Sequence, residues 1–274
     1  MDDQPVQLRG LKLPAGVNRK WLQADCNLIW SVRRALPPDP TRAGLMGLPP
    51  NHSTVETVDL GFGVARHEQR VGGGYLSCDI TSVTHERALA SMKIWCWISV
   101  PRLEQTRPII ERALGPGFRR DDRSATADAA YRADYQFPDT KQRLRAALDQ
   151  RLGPLSPATV PAELAPAYAT LMSAEEKLAV GDRCGDGGSP AEGASETRAL
   201  RSARRIDLLR HVLRGPNPEA RVYALEALGR LRALDAADRA VAERLAAAPM
   251  KVTTCNGCIY DKEPMDRALR MLEP

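Results

Sequence analysis

A chain of 274 residues exceeds the usual size of one compact core, and 43% apolar with 27% charged residues is a globular composition, which excludes disorder, collagen-like repeats and coiled coil. The net charge of +5 is the small difference between 39 cationic and 34 anionic side chains, so an acidic partner is permitted without being required. The longest apolar runs, such as Ile94 to Val100, fall far short of the roughly 20 residues that cross a bilayer, so no membrane span is expected.

The opening Met1-Asp2-Asp3-Gln4-Pro5 lacks the charged head and apolar body of a secretory leader. Two locations follow: an extracytoplasmic one with the leader removed, or the cytoplasm. Six cysteines are an even number, and Cys184 stands in a glycine-rich loop rather than on an apolar face. That usage tilts the expectation toward an oxidising, extracytoplasmic compartment.

From Arg19 to Leu36, apolar residues at Leu22, Cys26, Ile29, Val32 and Leu36 recur at the three-to-four spacing of one buried helix face, and Pro37-Pro38 ends it. The proline-rich stretch from Pro37 to Asn51 reads as a loop. Val58, Leu60, Phe62 and Val64 then alternate as in a half-buried strand, and Gly72-Gly73-Gly74 marks a turn. Leu76, Cys78 and Ile80 form a second strand. Ala90, Met92, Ile94, Cys96, Ile98 and Val100 form a third.

Thr106 and Pro108 predict the start of a short helix burying Ile109, Ile110 and Leu114, closed by Gly115-Pro116-Gly117. A strand over residues 127–137 follows, and Asp139 caps a helix aligned on Leu144, Leu148 and Leu152. The order helix, three strands, helix, strand, helix is that of an α+β layer built on a largely antiparallel sheet, although the strand-helix-strand step also fits a parallel crossover. A helix is expected from Ala162 to Val180, with Ser173 and Glu176 able to restart it midway, and residues 181–195 read as a mobile linker or a surface loop. The expected division is an α+β domain over 1–153, a helix with a Gly/Pro-rich linker over 154–196, and a helical domain over 197–274 that ends in a CxxC segment.

Beyond the linker, a helix over 197–214 offers Ala203, Ile206, Leu209 and Leu213 on one side and Leu208 and Val212 on another, which calls for neighbours on both. The run Asn217-Pro218-Glu219-Ala220-Arg221, followed by Ala224, Ala227-Leu228-Gly229 and Leu231, resembles the first helix of a HEAT-type repeat, with 235–248 as its second helix. Small alanines let paired helices approach, and leucines fill the space between layers. The resemblance implies a scaffold or binding surface with a protein partner.

Several constellations carry chemistry of their own. A hairpin centred on Arg87 sets Cys78 opposite Cys96 on one inward face, within disulfide reach. Cys255 and Cys258 have the spacing of a disulfide or of half a zinc site. Only Cys184 and His211 offer further ligands, so a structural disulfide or reduced loop is expected, with no metal and no cofactor. Asp25-Cys26 at the head of an apolar helix resembles the nucleophile segment of papain-like cysteine hydrolases, with His67 and His85 as possible bases. Arg198, Arg201 and Arg205 cluster on the 197–214 helix and are candidates for contacting nucleic acid. The leading expectation is a non-enzymatic binding or scaffold protein. The alternatives are nucleic-acid binding and cysteine hydrolysis.

Overall fold

The computed structural model describes residues 4–35, 54–121, 129–181, 183–184, 188–257 and 259–270. The proline-rich stretch 37–51 and Cys258 lie outside them. The chain is α+β and divides into two units, one of residues 1–57 with 67–141 and one of residues 58–66 with 142–274. No helix among the described residues is long and apolar enough to cross a membrane.

The first unit begins with α1 (Arg19–Ala35), whose first-turn N–H groups at Lys20 and Trp21 donate to the Asn18 side chain. Its buried stripe is Leu22, Cys26, Ile29 and Val32. Four strands follow, β1 (Thr54–Gly61), β2 (Val64–Gly72), β3 (Leu76–His85) and β4 (Ala88–Ile98). After α2 (Leu103–Leu114) come β5 (Arg119–Asp121), β6 (Ala129–Gln136) and α3 (Pro138–Leu152). The six strands form one antiparallel sheet in the order β1-β2-β3-β4-β6-β5. The step through α2 therefore skips one strand position, which β6 fills on its return.

Where one strand was expected across Val58 to Val64, the chain turns at Phe62 and Gly63, both at positive φ, with Gly61 also at φ 81°. Two glycines around a single residue are the signature of that reversal. The β2 signal was masked because two of its buried side chains are the polar Arg66 and Gln69. The helix α2 starts at Leu103, ahead of Thr106, whose hydroxyl donates back to the Arg102 carbonyl instead of capping. Pro108 lies inside the helix rather than at its first turn.

The hairpin of β3 and β4 turns on Glu86 and Arg87, both left-handed, and a register shift between Val83 and Thr84 separates that turn from the regular ladder. Beyond the shift, Cys78 faces Cys96.

The second unit carries α4 (Ala165–Met172), α5 (Ala194–Ser202), α6 (Ile206–Leu213), α7 (Pro218–Arg230), α8 (Ala236–Ala247), β7 (Lys251–Asn256), β8 (Ile259–Pro264) and α9 (Met265–Arg270). The helix expected to reach Val180 stops at Met172. Carbonyls of the irregular segment that follows are taken by side chains: Asn217 Nδ2 donates to Ser173 and Glu176, and Arg66 Nη1 to Glu176 at 2.8 Å. The helix expected over 197–214 is two. Arg204 adopts φ 50°, its N–H bonds the Arg201 carbonyl, and the Arg205 N–H bonds Leu200, which is a Schellman termination with arginine in the position glycine usually holds. Ala203, expected inside, is exposed as a result.

Of the stretch 181–195, the described residues 181, 183–184 and 188–195 belong to the second unit. Cys184 and Ala191 are buried with Ala179 and Cys255, and the Cys184 N–H bonds the Ser189 carbonyl. A side chain on Gly181 would come within 2.1 Å of the Cys255 carbonyl oxygen, so glycine there permits close packing. The division of the chain thus falls near residue 141, and the tip of the β1-β2 hairpin joins the helices. Burial of Val58, Leu60 and Val64 gives that tip its own apolar content.

Candidate functional site

Cys26 lies on the inward face of α1, 1% exposed, in the apolar cluster that contains Leu22, Ile29, Leu76 and Ile98. Burial, and secondarily the neighbouring Asp25 charge, push its thiol pKa up to about 11. A nucleophilic cysteine needs the opposite shift. His67 is engaged elsewhere: one ring nitrogen contacts the Thr57 hydroxyl and the other the Thr84 hydroxyl, each at 3.0 Å, and burial lowers its pKa. His85 is buried at the end of β3 beside the turn. The two hydrogen bonds of the His67 ring go to threonine hydroxyls and not to the Cys26 thiol.

Asp25 has a structural task. Its carboxylate accepts from the backbone N–H groups of Gly74 (2.6 Å), Tyr75 (2.9 Å) and Leu76 (3.1 Å), where the glycine-rich turn enters β3. Cβ atoms on Gly73 and Gly74 would come within 2.1 Å of Asp25 and 2.2 Å of Trp21 respectively, so the turn wraps directly over α1. Burial raises the Asp25 pKa against the pull of the three N–H donors.

Arg198 and Arg201 lie on α5, while Arg205 stands beyond the break, at the N-terminal cap position of α6. Arg198 is exposed and Arg201 half-buried, while Arg205 forms a fork with Asp207 at 2.9 and 2.6 Å and also bonds the Thr159 carbonyl. Farther on, Arg210 and Arg214 converge on the fully buried Asp238 at 2.9 and 3.1 Å. Asp238 also closes the capping box that Asp235 opens on α8. These arginines hold helices together.

The sulfurs of Cys78 and Cys96 are 2.07 Å apart, and those of Cys184 and Cys255 are 2.25 Å apart. Cys255 therefore stands at bonding distance from Cys184, where the sequence had offered Cys258. His211, the other proposed zinc ligand, contacts the Tyr168 hydroxyl at 3.1 Å. Among the described residues no group of three His, Cys, Asp or Glu side chains is placed to hold a metal.

Other features escaped the reading of the sequence. Arg221 is fully buried: its Nε donates to the Gly215 carbonyl, its Nη1 to the Leu60 carbonyl, and its guanidinium lies 5.3 Å from the Phe62 ring centre. Burial pulls its pKa down to about 9, which the Glu219 charge opposes. Glu219 is buried beside it and accepts from the Thr253 N–H. The sequence signal for both was hidden, because acid and base at the start of a helix normally read as a solvated first turn.

Three of the five exposed large apolar side chains among the described residues, Trp95, Ile259 and Tyr260, form two further features. Ile259 and Tyr260, 72% and 51% exposed, open β8. The hairpin behind them is anchored through Thr253 on Glu219, the Cys255 N–H on Val180, and the Cys184–Cys255 contact. In the first unit, Trp95 is 44% exposed on β4 and stacks on Trp97, with ring centres 5.9 Å apart. The alternation that puts Ile94, Cys96 and Ile98 inside puts these tryptophans outside, so their position was implicit in the strand pattern. Comparison of the chain with family models, with curated proteins and with solved structures finds no match.

Proposed function

We propose that this chain is a non-enzymatic binding protein whose second unit is a scaffold for a protein partner. The observation that carries the reading is the pair Ile259 and Tyr260, two adjacent large apolar side chains held in solvent at the head of an anchored hairpin strand. Exposed aromatic and aliphatic anchors on a rigid support are the usual centres of protein contacts. The helices behind them support the scaffold role. Ala220, Ala224 and Ala227 are buried on α7, and Asp238 ties α8 to Arg210 and Arg214 of the preceding segment. That close, alanine-mediated pairing is what the resemblance of residues 197–248 to a HEAT-type repeat implies.

The two cysteine pairs at bonding distance support maturation in an oxidising, extracytoplasmic compartment. A photo-crosslinking amino acid in place of Tyr260 in the native host tests the binding role. The expected result is a reproducible protein adduct that the same probe at the exposed Arg198 does not give. Equal or absent labelling from the two positions would refute it.

A further inference from the structure

Ile259 and Tyr260 are successive residues of one strand, so their side chains leave opposite faces of the β7-β8 sheet. A flat surface or a helix laid on this sheet would cover one of them and leave the other in water. A body that touches both has to lie along the edge of β8, where the two faces meet.

That edge has main-chain groups to offer. On β7 the Cys255 N–H donates to the Val180 carbonyl at 2.9 Å, the Thr253 carbonyl accepts from the Val180 N–H at 2.8 Å, and the Thr253 N–H donates to Glu219. Thr253 and Cys255 thus turn their main-chain groups away from β8. Their chain neighbours Thr254, opposite Asp261, and Asn256, opposite Ile259, turn theirs toward it. On β8 the same alternation directs the Tyr260 N–H and carbonyl outward. β8 is the last strand of its sheet among the described residues, and Tyr260 is half exposed. Farther along, the Asp261 carboxylate takes the Lys262 N–H at 2.7 Å, and Pro264 has no N–H, so the open edge is short and centred on Tyr260.

The side chains of β8 do not suit a second copy of this chain. Antiparallel self-pairing centred on Tyr260 sets Asp261 of the copy opposite Ile259, and self-pairing centred on Asp261 sets Glu263 of the copy there. Either register leaves an acid against the exposed isoleucine. Building on the protein-partner reading above, we propose that the partner docks through an extended segment of its own chain, added as a third strand beside β8. Its main chain pairs with Tyr260, and two successive apolar side chains meet Tyr260 on one face and Ile259 on the other. Glu219 and Val180 hold β7 from behind, so the edge is presented without rearrangement.

The test selects a phage-displayed library of random dodecapeptides on the full chain, then synthesises the enriched sequences and titrates them. The full chain is also assembled with N-methyl-Tyr260, by ligating residues 1–257 to a synthetic segment 258–274 at Cys258. The methyl group removes the outward donor and leaves both side chains and the β7-β8 ladder in place. Enriched peptides should carry adjacent apolar residues and lose affinity about tenfold or more on that N-methylation. They should also weaken on Ile259→Ser and on Tyr260→Ser, with the wild-type circular dichroism kept in every variant. Independently of any change in the protein, N-methylation along the peptide should weaken binding at alternate residues, because an added strand turns every second N–H toward β8.

Three results would overturn the proposal. Peptides that need both side chains, yet bind the N-methyl chain as tightly as the wild type and show no alternation in their own N-methyl scan, would keep the binding surface and refute strand addition. Peptides indifferent to Ile259→Ser and Tyr260→Ser, or no enrichment at all, would refute the surface together with the mode of docking. Self-association of the wild-type chain that N-methylation abolishes would assign the edge to a second copy.

Discussion

Replacing Asp25 tests how α1 is held on the turn before β3. In Asp25→Ala the N–H groups of Gly74, Tyr75 and Leu76 lose their acceptor together. Leu76 is 3% exposed, so its N–H would be left without water, whereas Gly74 and Tyr75 are half-buried and can be partly rehydrated. One full desolvation penalty with two reduced ones comes to about 3–5 kcal/mol. A drop of that size in the urea unfolding free energy of the full chain is expected. A loss under about 1 kcal/mol would show that water replaces the carboxylate and that the turn is held by other contacts.

Asp25→Asn then tests the electrostatics. Burial raises the carboxyl pKa of the folded state above its ordinary value of 3.8. The native state therefore binds the proton more tightly than the unfolded chain does, and this contribution to stability is present below that value and lost as pH rises through the folded pKa. Asparagine does not titrate, so the stability deficit of Asp25→Asn relative to wild type should be largest in acid and shrink toward neutral pH. Urea midpoints measured from pH 3 to 7 decide it. A deficit that widens with pH would mean that the three N–H donors outweigh desolvation, and would refute the reasoning.

Cys78 and Cys96, separated by 18 residues, should cross-link in protein oxidised in vitro; the Cys78→Ala/Cys96→Ala variant should lose about 3 kcal/mol by loop entropy, and non-reducing peptide maps should recover the joined pair. Cys26, with its thiol pKa near 11, should resist iodoacetamide in the native state at neutral pH and react only on unfolding; rapid native labelling would contradict its burial. Asp238→Ala removes the carboxylate shared by Arg210 and Arg214 and one half of a capping box, and should cost about 3 kcal/mol by chemical denaturation. A neutral outcome would mean that the two arginines find solvent instead.

What the sequence determined by itself is what short-range periodicity can encode. The buried stripe of α1, the inward phase of β3 and β4, the Cys78–Cys96 alignment and the caps at Asn217 and Asp235 all follow from residues close in the chain. The α+β class followed from the order of such patterns. The tertiary structure decided whatever depends on distant partners or on an unusual residue in a permissive place. Arg204 and Arg232 take left-handed positions in which glycine would have announced a helix end. The helix after Ala162 ends at Met172, and Asn217 and Arg66, remote in sequence, take the Ser173 and Glu176 carbonyls of the irregular segment that follows it. Cys255 meets Cys184 across 71 residues instead of its near neighbour in sequence, since the spacing of two cysteines says nothing of which backbone segments are brought together. Arg221 and Glu219, a base and an acid at a helix start, carry no local sign of burial, yet the fold buries both: groups from separate segments pair Arg221 Nε and Nη1 and Glu219 Oε1, while Arg221 Nη2 and Glu219 Oε2 have no hydrogen-bond partner among the described residues.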